Sequence, residues 1–439
     1  MYTKLEGIAK VAKERPKEQF TALAHLVNKQ MLMFCHAEME MNKAAGIDKI
    51  TKEQYELALN ENLESLITRM KRQAYRPQPV RRVYIDKVGT NKKRPLGIPA
   101  YEDKLVQSAV SKIINSIYEQ EFLDCSFGFR PNRGCHDALA ALDKILERRP
   151  INYIVDADIR GFFDNVDHQW MMKFIRHRIK DTALNQLIAR FLKAGVMEAG
   201  IRYDTPQGTP QGGVISPILA NIYLHYVIDL WFEKKVRKQC RGAAYMVRYA
   251  DDSVFCFENK DEAEQFYQMF IQRLKEFKLE VAEEKTKIIP FGKSADKDDN
   301  NRKSGTFDFL GFTHYYGKGR SGTKRVKRKT SKKKLKASIS RFTAWAKQNM
   351  HEKLDILLGK LNRKLIGHYR YYGISDNITC LKKMRHVIKH VLYRCLNRRS
   401  QRKSYTWERY NNYLQHQPIA VPHVYVNIFK LRTDIGYIV

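Results

Sequence analysis

Two apolar runs between Ala243 and Phe257 meet at Ala250-Asp251-Asp252-Ser253, and no other pattern restricts the chain as much. Each run reads as a strand, and the short polar step between them reads as the tip of a hairpin carrying two carboxylates. Tyr153 to Asp158 is a third short apolar run that ends in acid, and it reads as a buried strand. Adjacent strands would bring Asp158 beside Asp251 and Asp252. Phosphoryl transfer needs charge neutralised on the attacking and leaving oxygens, which two Mg²⁺ ions roughly 3.5–4 Å apart achieve. Mg²⁺ prefers carboxylates and water, so acids converging at strand ends suit it. Asp-Asp alone is a common turn dipeptide, so its surroundings must decide the matter.

Those surroundings mix helix and strand. Phe20 to Glu64 reads as helical, with a turn at Ala45-Gly46-Ile47-Asp48, and Val80 to Asp86 alternates like a strand. A basic turn, Gly89 to Arg94, leads into Pro95-Leu96-Gly97-Ile98-Pro99. Val106, Ala109, Val110, Ile113 and Ile117 form a helical stripe, as do Ala138, Leu142 and Ile145. Helices are expected over Leu184–Leu192, Val214–Val227 and Glu262–Leu279, and a strand over Phe307–His314. Composition shifts near Gly317: from Lys318 to Lys403 the only acids are Glu352, Asp355 and Asp376. Leucine-rich stripes recur there, as in Leu354, Leu357, Leu361 and Leu365, and predict a compact basic helical domain. Lys324 to Lys336 is the one low-complexity patch.

Charge narrows the partners. Lys and Arg number 80 against 47 Asp and Glu, a formal net charge of +33. A chain with that much self-repulsion ordinarily meets a polyanion, and nucleic acid gains from counterion release. An anionic membrane surface is the second alternative, but no apolar stretch of about 18 residues and no amphipathic anchor stands out. The seven cysteines contain no C-x-x-C pair, so a zinc ribbon is not expected, and their scatter fits a reducing interior. Met1 to Gln19 has no secretory pattern, so a cytoplasmic, non-secreted location is expected.

Taken in order, the motifs resemble those of group II intron-encoded reverse transcriptase/maturases. Tyr249-Ala250-Asp251-Asp252 resembles the Tyr-x-Asp-Asp box of reverse transcriptases, and Asp158 to Asp164 their first catalytic box. Thr209-Pro210-Gln211-Gly212-Gly213 to Pro217 resembles the Pro-Gln-Gly box, and Phe309-Leu310-Gly311-Phe312 the primer grip. Ser126 to Pro131 and Arg94 to Pro99 resemble finger motifs, and Ala45 to Asp48 the N-terminal extension. Each box is unspecific alone; the ordered set covers nearly the whole chain.

The resemblance implies roles. Asp158 and Asp251 would bridge two Mg²⁺ ions, with Mn²⁺ as a substitute, and Asp252 would be the third carboxylate. Phe163 would lie under the incoming sugar and block a 2′-OH, while Phe162 beside it would be core. Gln211, Gly212 and Ala250 would meet the nucleotide. Thr205-Pro206-Gln207-Gly208 nearly duplicates the Pro-Gln-Gly box, and the second copy is preferred because Gly213 and Ser-Pro follow it. Lys87 and Arg94 would clasp the triphosphate, with Lys92 or Lys93 as alternatives to Lys87. Lys285 resembles a lysine near the leaving pyrophosphate, or else is a solvated lysine at a helix end. Phe309, Leu310 and Gly311 would grip the primer. Leu361 to Tyr372 resembles the maturase-specific thumb, where Arg363, Lys364, Tyr369 and Arg370 would contact RNA, with Tyr369 equally readable as helix core.

The expected fold is α+β, a right-hand polymerase: N-terminal extension and fingers over 1–150, a palm with an antiparallel sheet over 151–317, a basic helical thumb/maturase domain over 318–403, and a nucleic-acid-binding tail over 404–439. The resemblance implies RNA-directed DNA synthesis, splicing assistance, and intron RNA, an RNA template with a DNA or RNA primer, and target DNA as partners. A Cys/His-rich endonuclease is not legible, which implies the endonuclease-lacking type with a primer from another source. Two alternatives remain: a splicing-only RNA-binding maturase, and a related enzyme recruited to defence or DNA repair.

Overall fold

The computed structural model describes residues 2–86, 93–198, 200–205, 207–209, 212–292, 304–319, 322–399 and 404–431. The described chain forms two compact units, one gathering residues 2–86, 93–134 and 155–288, the other residues 135–154 and 289–431.

The first unit is built on two sheets. Their strands are β1 (Val80–Asp86), β2 (Lys93–Ile98), β3 (Tyr153–Ala157), β4 (Val196–Glu198), β5 (Ile201–Tyr203), β6 (Ala244–Tyr249), β7 (Asp252–Phe257) and β8 (Lys287–Pro290), with β3 and β8 running across the chain limits at 155 and 288. One sheet runs β2-β1-β4-β5 and the other β6-β7-β3-β8. The hairpin read from the sequence is present: β6 and β7 pair antiparallel from Ala244 with Phe257 to Tyr249 with Asp252. β1 and β2 also pair antiparallel, whereas β1 and β4 run parallel. The fold class is α+β, as the sequence indicates.

The helix Tyr101–Tyr118 forms the centre of this unit. Its stripe of Val106, Ala109, Val110, Ile113 and Ile117 is wholly buried. Asp48, from the turn at Ala45 to Asp48, accepts a hydrogen bond from Tyr101 N at 3.0 Å and so caps an otherwise orphaned donor at this helix start. The segment expected as one helix from Val214 is α-helical over Ser216–Leu224 and then widens into π turns over His225–Asp229 and Phe232–Val236.

The second unit holds β9 (Phe307–Phe309), β10 (Phe312–Lys318) and β11 (Lys324–Thr330) in the order β11-β10-β9. The expected single strand from Phe307 to His314 is therefore a tight hairpin, turned by Leu310 and Gly311 at φ 48° and 82°. The basic patch Lys324 to Lys336 is ordered structure: β11, then the first turns of the helix Lys332–Gln348. Alternation explains this, because Val326, Arg328 and Thr330 point inward and are buried while basic residues between them face out. Arg328 ion-pairs with Asp143 of the helix Cys135–Arg148. Ser331 caps the helix that follows, accepting from Lys334 N, and Lys332, Lys333, Lys334 and Lys336 are exposed. The helix Leu354–Tyr372 buries the predicted stripe, Leu354, Leu357, Leu361 and Leu365, against Met384, Ile388 and Leu392 of the helix Ile378–Leu396.

All seven cysteines are free thiols. Among the described residues no helix is long and apolar enough to cross a membrane.

Candidate active site

Asp158 follows directly on β3, Asp251 lies in the Ala250-Asp251 turn between β6 and β7, and Asp252 is the first residue of β7, all in the same sheet. The turn is tight enough to force Ala250 into the left-handed region at φ 56°, a conformation uncommon for a residue with a Cβ and found disproportionately at functional sites. The backbone around Asp158 is fixed by Ala282 N donating to Asp158 O at 2.8 Å and by Arg160 N donating to Glu280 O at 2.9 Å.

The carboxylates feel one another. Burial, followed by the charge of Asp158, pushes the Asp251 carboxyl above the usual carboxylate range, and Arg94 and Arg248 oppose that rise. Lys285 Nζ donates to Asp158 Oδ2 at 2.5 Å, and this bond raises the ammonium pKa, with Glu284 and Asp252 adding to it. Lys285, exposed in the turn before β8, thus rests its ammonium on Asp158. Among the described residues no three His, Cys, Asp or Glu side chains lie close enough to enclose a metal ion as they stand. The donor chemistry nevertheless suits a hard divalent cation: the set is all carboxylate, it repels itself, and a cationic ammonium already rests on one member.

Phe163 and Phe162 have different surroundings. Phe162 is 2% exposed and packs its ring 6.2 Å from that of Tyr223 in the core. Phe163 lines a cavity of about 290 Å³ with Arg82, Gly97, Asp164, Gln207 and Thr209 among its walls. Burial raises the Asp164 carboxyl, and the charges of Arg82 and Arg94 pull it back down. A larger cavity of about 820 Å³, near Asn28, Tyr75 and Arg190, contains none of the residues singled out from the sequence.

The remaining site residues fall as follows. Arg94 is exposed on β2, and its charge acts on both Asp164 and Asp251. Gly212 has φ 108°, and a Cβ there would stand 2.7 Å from Gly97 O, so the close approach that needs this glycine is to β2. Lys87 and Gln211 lie outside the described residues, as does Lys92. The first copy of the duplicated box is described in part: Gly208 N donates to Val166 O and Thr209 N to Phe163 O, so Gln207 lines the same cavity as Phe163, beside the short helix Phe162–Asn165. Sequence reasoning set Gln207 aside, and also missed Arg82 and Asp164; only their place in the cavity reveals them.

In the second unit, Phe309 is buried and Leu310 O accepts from Tyr371 Oη at 2.8 Å, which pins the hairpin turn. Arg363, Lys364 and Arg370 are exposed on their helix. Tyr369 is wholly buried in the helical core, so it has no face for a base, and its assignment as an RNA contact is corrected to core packing.

Residues 85–314 match the model of the reverse transcriptase (RNA-dependent DNA polymerase) family, and residues 332–414 match the group II intron maturase-specific domain. The group II intron-encoded protein LtrA of Lactococcus lactis subsp. cremoris is 42% identical over 234 residues, which cover 53% of this chain and 39% of that protein. Protein YkfC of Escherichia coli K12 is 34% identical over 48% of this chain and 62% of its own length. An uncharacterized 91 kDa protein in the cob intron of Schizosaccharomyces pombe is 32% identical over 51% of this chain and 28% of its own. The chain thus spans less than two thirds of each of these relatives in the matched region. With a family model matching over half its length, the chain belongs to the reverse transcriptases, and its maturase-specific segment marks it as the group II intron-encoded kind.

Proposed function

We propose that this protein is an RNA-directed DNA polymerase that adds deoxynucleotides to a primer 3′-OH, and that it also binds intron RNA and assists its splicing. The observation that supports this most directly is the placing of Asp158, Asp251 and Asp252 at the ends of neighbouring strands, with Lys285 bonded to Asp158 and the charge of Arg94 acting on Asp251. Asp158, Asp251 and Asp252 would hold two Mg²⁺ ions, or Mn²⁺, which would neutralise charge on the attacking and leaving oxygens.

The chain's own residues supply the rest. Lys285 and Arg94 place positive charge where a triphosphate and its departing pyrophosphate would lie, and Lys87 and Gln211 complete the nucleotide contacts in this reading. Phe163 forms a wall for the sugar. Gly212 lies close against β2, and Ala250 sets the turn that presents Asp251. Phe309, Leu310 and Gly311 form the primer grip. The exposed Arg363, Lys364 and Arg370 present cations to an RNA backbone. The domain roles follow: fingers before residue 150, palm to 317, thumb to 403, and a nucleic-acid-binding tail. The partners in this reading are intron RNA, a primed RNA template and target DNA, met inside the cell.

Extension of oligo(dT) on poly(rA) tests the polymerase reading. Asp251→Asn keeps shape and removes charge, and it should abolish synthesis while RNA affinity stays within about threefold, a change of roughly 0.7 kcal/mol. Near-normal extension by that variant would refute the catalytic assignment.

A further inference from the structure

Arg248 is the penultimate residue of β6, three positions before Asp251, and it is completely buried. Its guanidinium has five N–H donors, and five hydrogen bonds are present. Nε donates to Asp229 Oδ1 at 2.7 Å and Nη2 to Asp229 Oδ2 at 2.5 Å. Nη2 also donates to Ser126 Oγ at 2.7 Å, and Nη1 to Asn221 Oδ1 at 3.2 Å. The remaining bond runs from Nη1 to Ala250 O at 2.9 Å, on the turn that carries the acids.

The partners of Arg248 converge on the same turn. Asn221 Nδ2 donates to Gly128 O at 2.8 Å. A Cβ on Gly128 would stand 2.2 Å from Ala250 N, so this backbone lies directly against the turn. The main chain of Arg248 is itself held, its N donating to Cys125 O at 2.8 Å and its O accepting from Phe127 N at 2.9 Å. Helix geometry brings in the acid. Asn221 and Asp229 are eight residues apart, which in an unbroken α-helix leaves them about 80° out of line. The wider π turns over His225–Asp229 reduce that angle, so both side chains reach one guanidinium.

A buried ion pair gains little net stability, because desolvation offsets attraction, and apolar residues of the same volume often do as well. A left-handed alanine adds a cost of order 1 kcal/mol or more that its surroundings must overcome. We propose that Arg248, held by Asp229, Asn221 and Ser126, is a positioning residue that fixes the Ala250 carbonyl and thereby the direction in which Asp251 points. This rests on the polymerase reading for its consequence and on the hydrogen-bond network for its substance.

The test compares Arg248→Lys with Arg178→Lys, which perturbs another buried arginine, paired with Glu121 away from the turn. Two quantities are read at temperatures well below both melting points: amide hydrogen exchange of the peptide around residues 249–252, and the single-turnover rate of nucleotide incorporation. Arg248→Lys should speed exchange at the turn at least tenfold and slow incorporation at least tenfold, with Kd for primer-template within threefold. Arg178→Lys should leave both quantities near wild type at a similar loss of Tm. Should Arg248→Lys not fold, Asn221→Ala removes one bond of the five and should move both quantities in the same direction by a smaller factor. Unchanged exchange at the turn, or equal slowing by the Arg178 and Arg248 variants, would overturn the proposal. A wild-type chain that extended no primer would count against the polymerase reading, and the exchange comparison would still decide the role of Arg248.

Discussion

Phe162 and Phe163 adjoin in sequence, yet one fills the core beside Tyr223 and the other walls a cavity. Phe163→Val should admit ribonucleotides, since close-packed sites resist an added group by roughly 1–3 kcal/mol, or about ten- to a hundredfold in rate. Phe162→Val should instead lower stability by about 1–3 kcal/mol without relaxing sugar choice. Incorporation of single dNTPs and rNTPs, alongside Tm, separates the two; relaxation by the Phe162 variant alone would reverse the assignment. Gly128→Ala is the sharpest steric test. Its Cβ would collide with Ala250 N, so incorporation should fall a hundredfold or more, about 2.7 kcal/mol, while RNA binding persists. Gly359→Ala, in open helical space, should raise stability by about 1 kcal/mol. The acids were legible because they interrupt apolar runs. Arg248 does the same between Val247 and Tyr249, and that buried charge was the available signal for the network; its partners Asn221 and Asp229 became visible only once the chain folded.

At the scale of elements, the long apolar and amphipathic segments were legible, and the strands hidden by charge were not. β11 reads as a basic patch because an inward position, Arg328, is itself a cation and breaks the apolar alternation. A cut at Gly317 would fall within β10, which pairs with β11 from Phe312 to Lys318, so truncation there would disrupt the sheet as well as remove charge. The same sheet carries His314, opposite Arg328, wholly buried and stacked on Phe307 at 4.9 Å. Burial, then the charge of Arg328, pushes this imidazole down to about 3. Folded pKa lies below unfolded, so the unfolded chain takes up the proton first. The contribution is complete above about pH 6.5 and is lost as pH falls toward 3, at about 1.4 kcal/mol per pH unit. His314→Phe should flatten the fall of stability with acid in that window, measured by denaturant unfolding between pH 6.5 and 4. An unaltered slope would show that other groups set the acid sensitivity.

The whole molecule carries its +33 unevenly, and the second unit concentrates much of it on the strand β11 and the helix after it. Replacing Lys332, Lys333 and Lys336 by Gln should make the plot of log RNA affinity against log salt shallower by up to about 2.7, if each lysine meets a phosphate. An unchanged slope would place the RNA surface elsewhere. Bulk charge announced a polyanion from the sequence alone, but only the fold shows which lysines stand together. The Ser331-capped helix opens on three consecutive lysines with no acid in its first turn, where the backbone dipole already presents positive charge. Lys332 and Lys336 add a like-charged pair one turn apart. Without RNA this helix end is electrostatically frustrated, and dissolved anions relieve it. Salt should therefore act in opposite directions on the same surface: Tm of the free protein rises with ionic strength while affinity for RNA falls, so the chain is least robust in the dilute buffers where it binds most tightly.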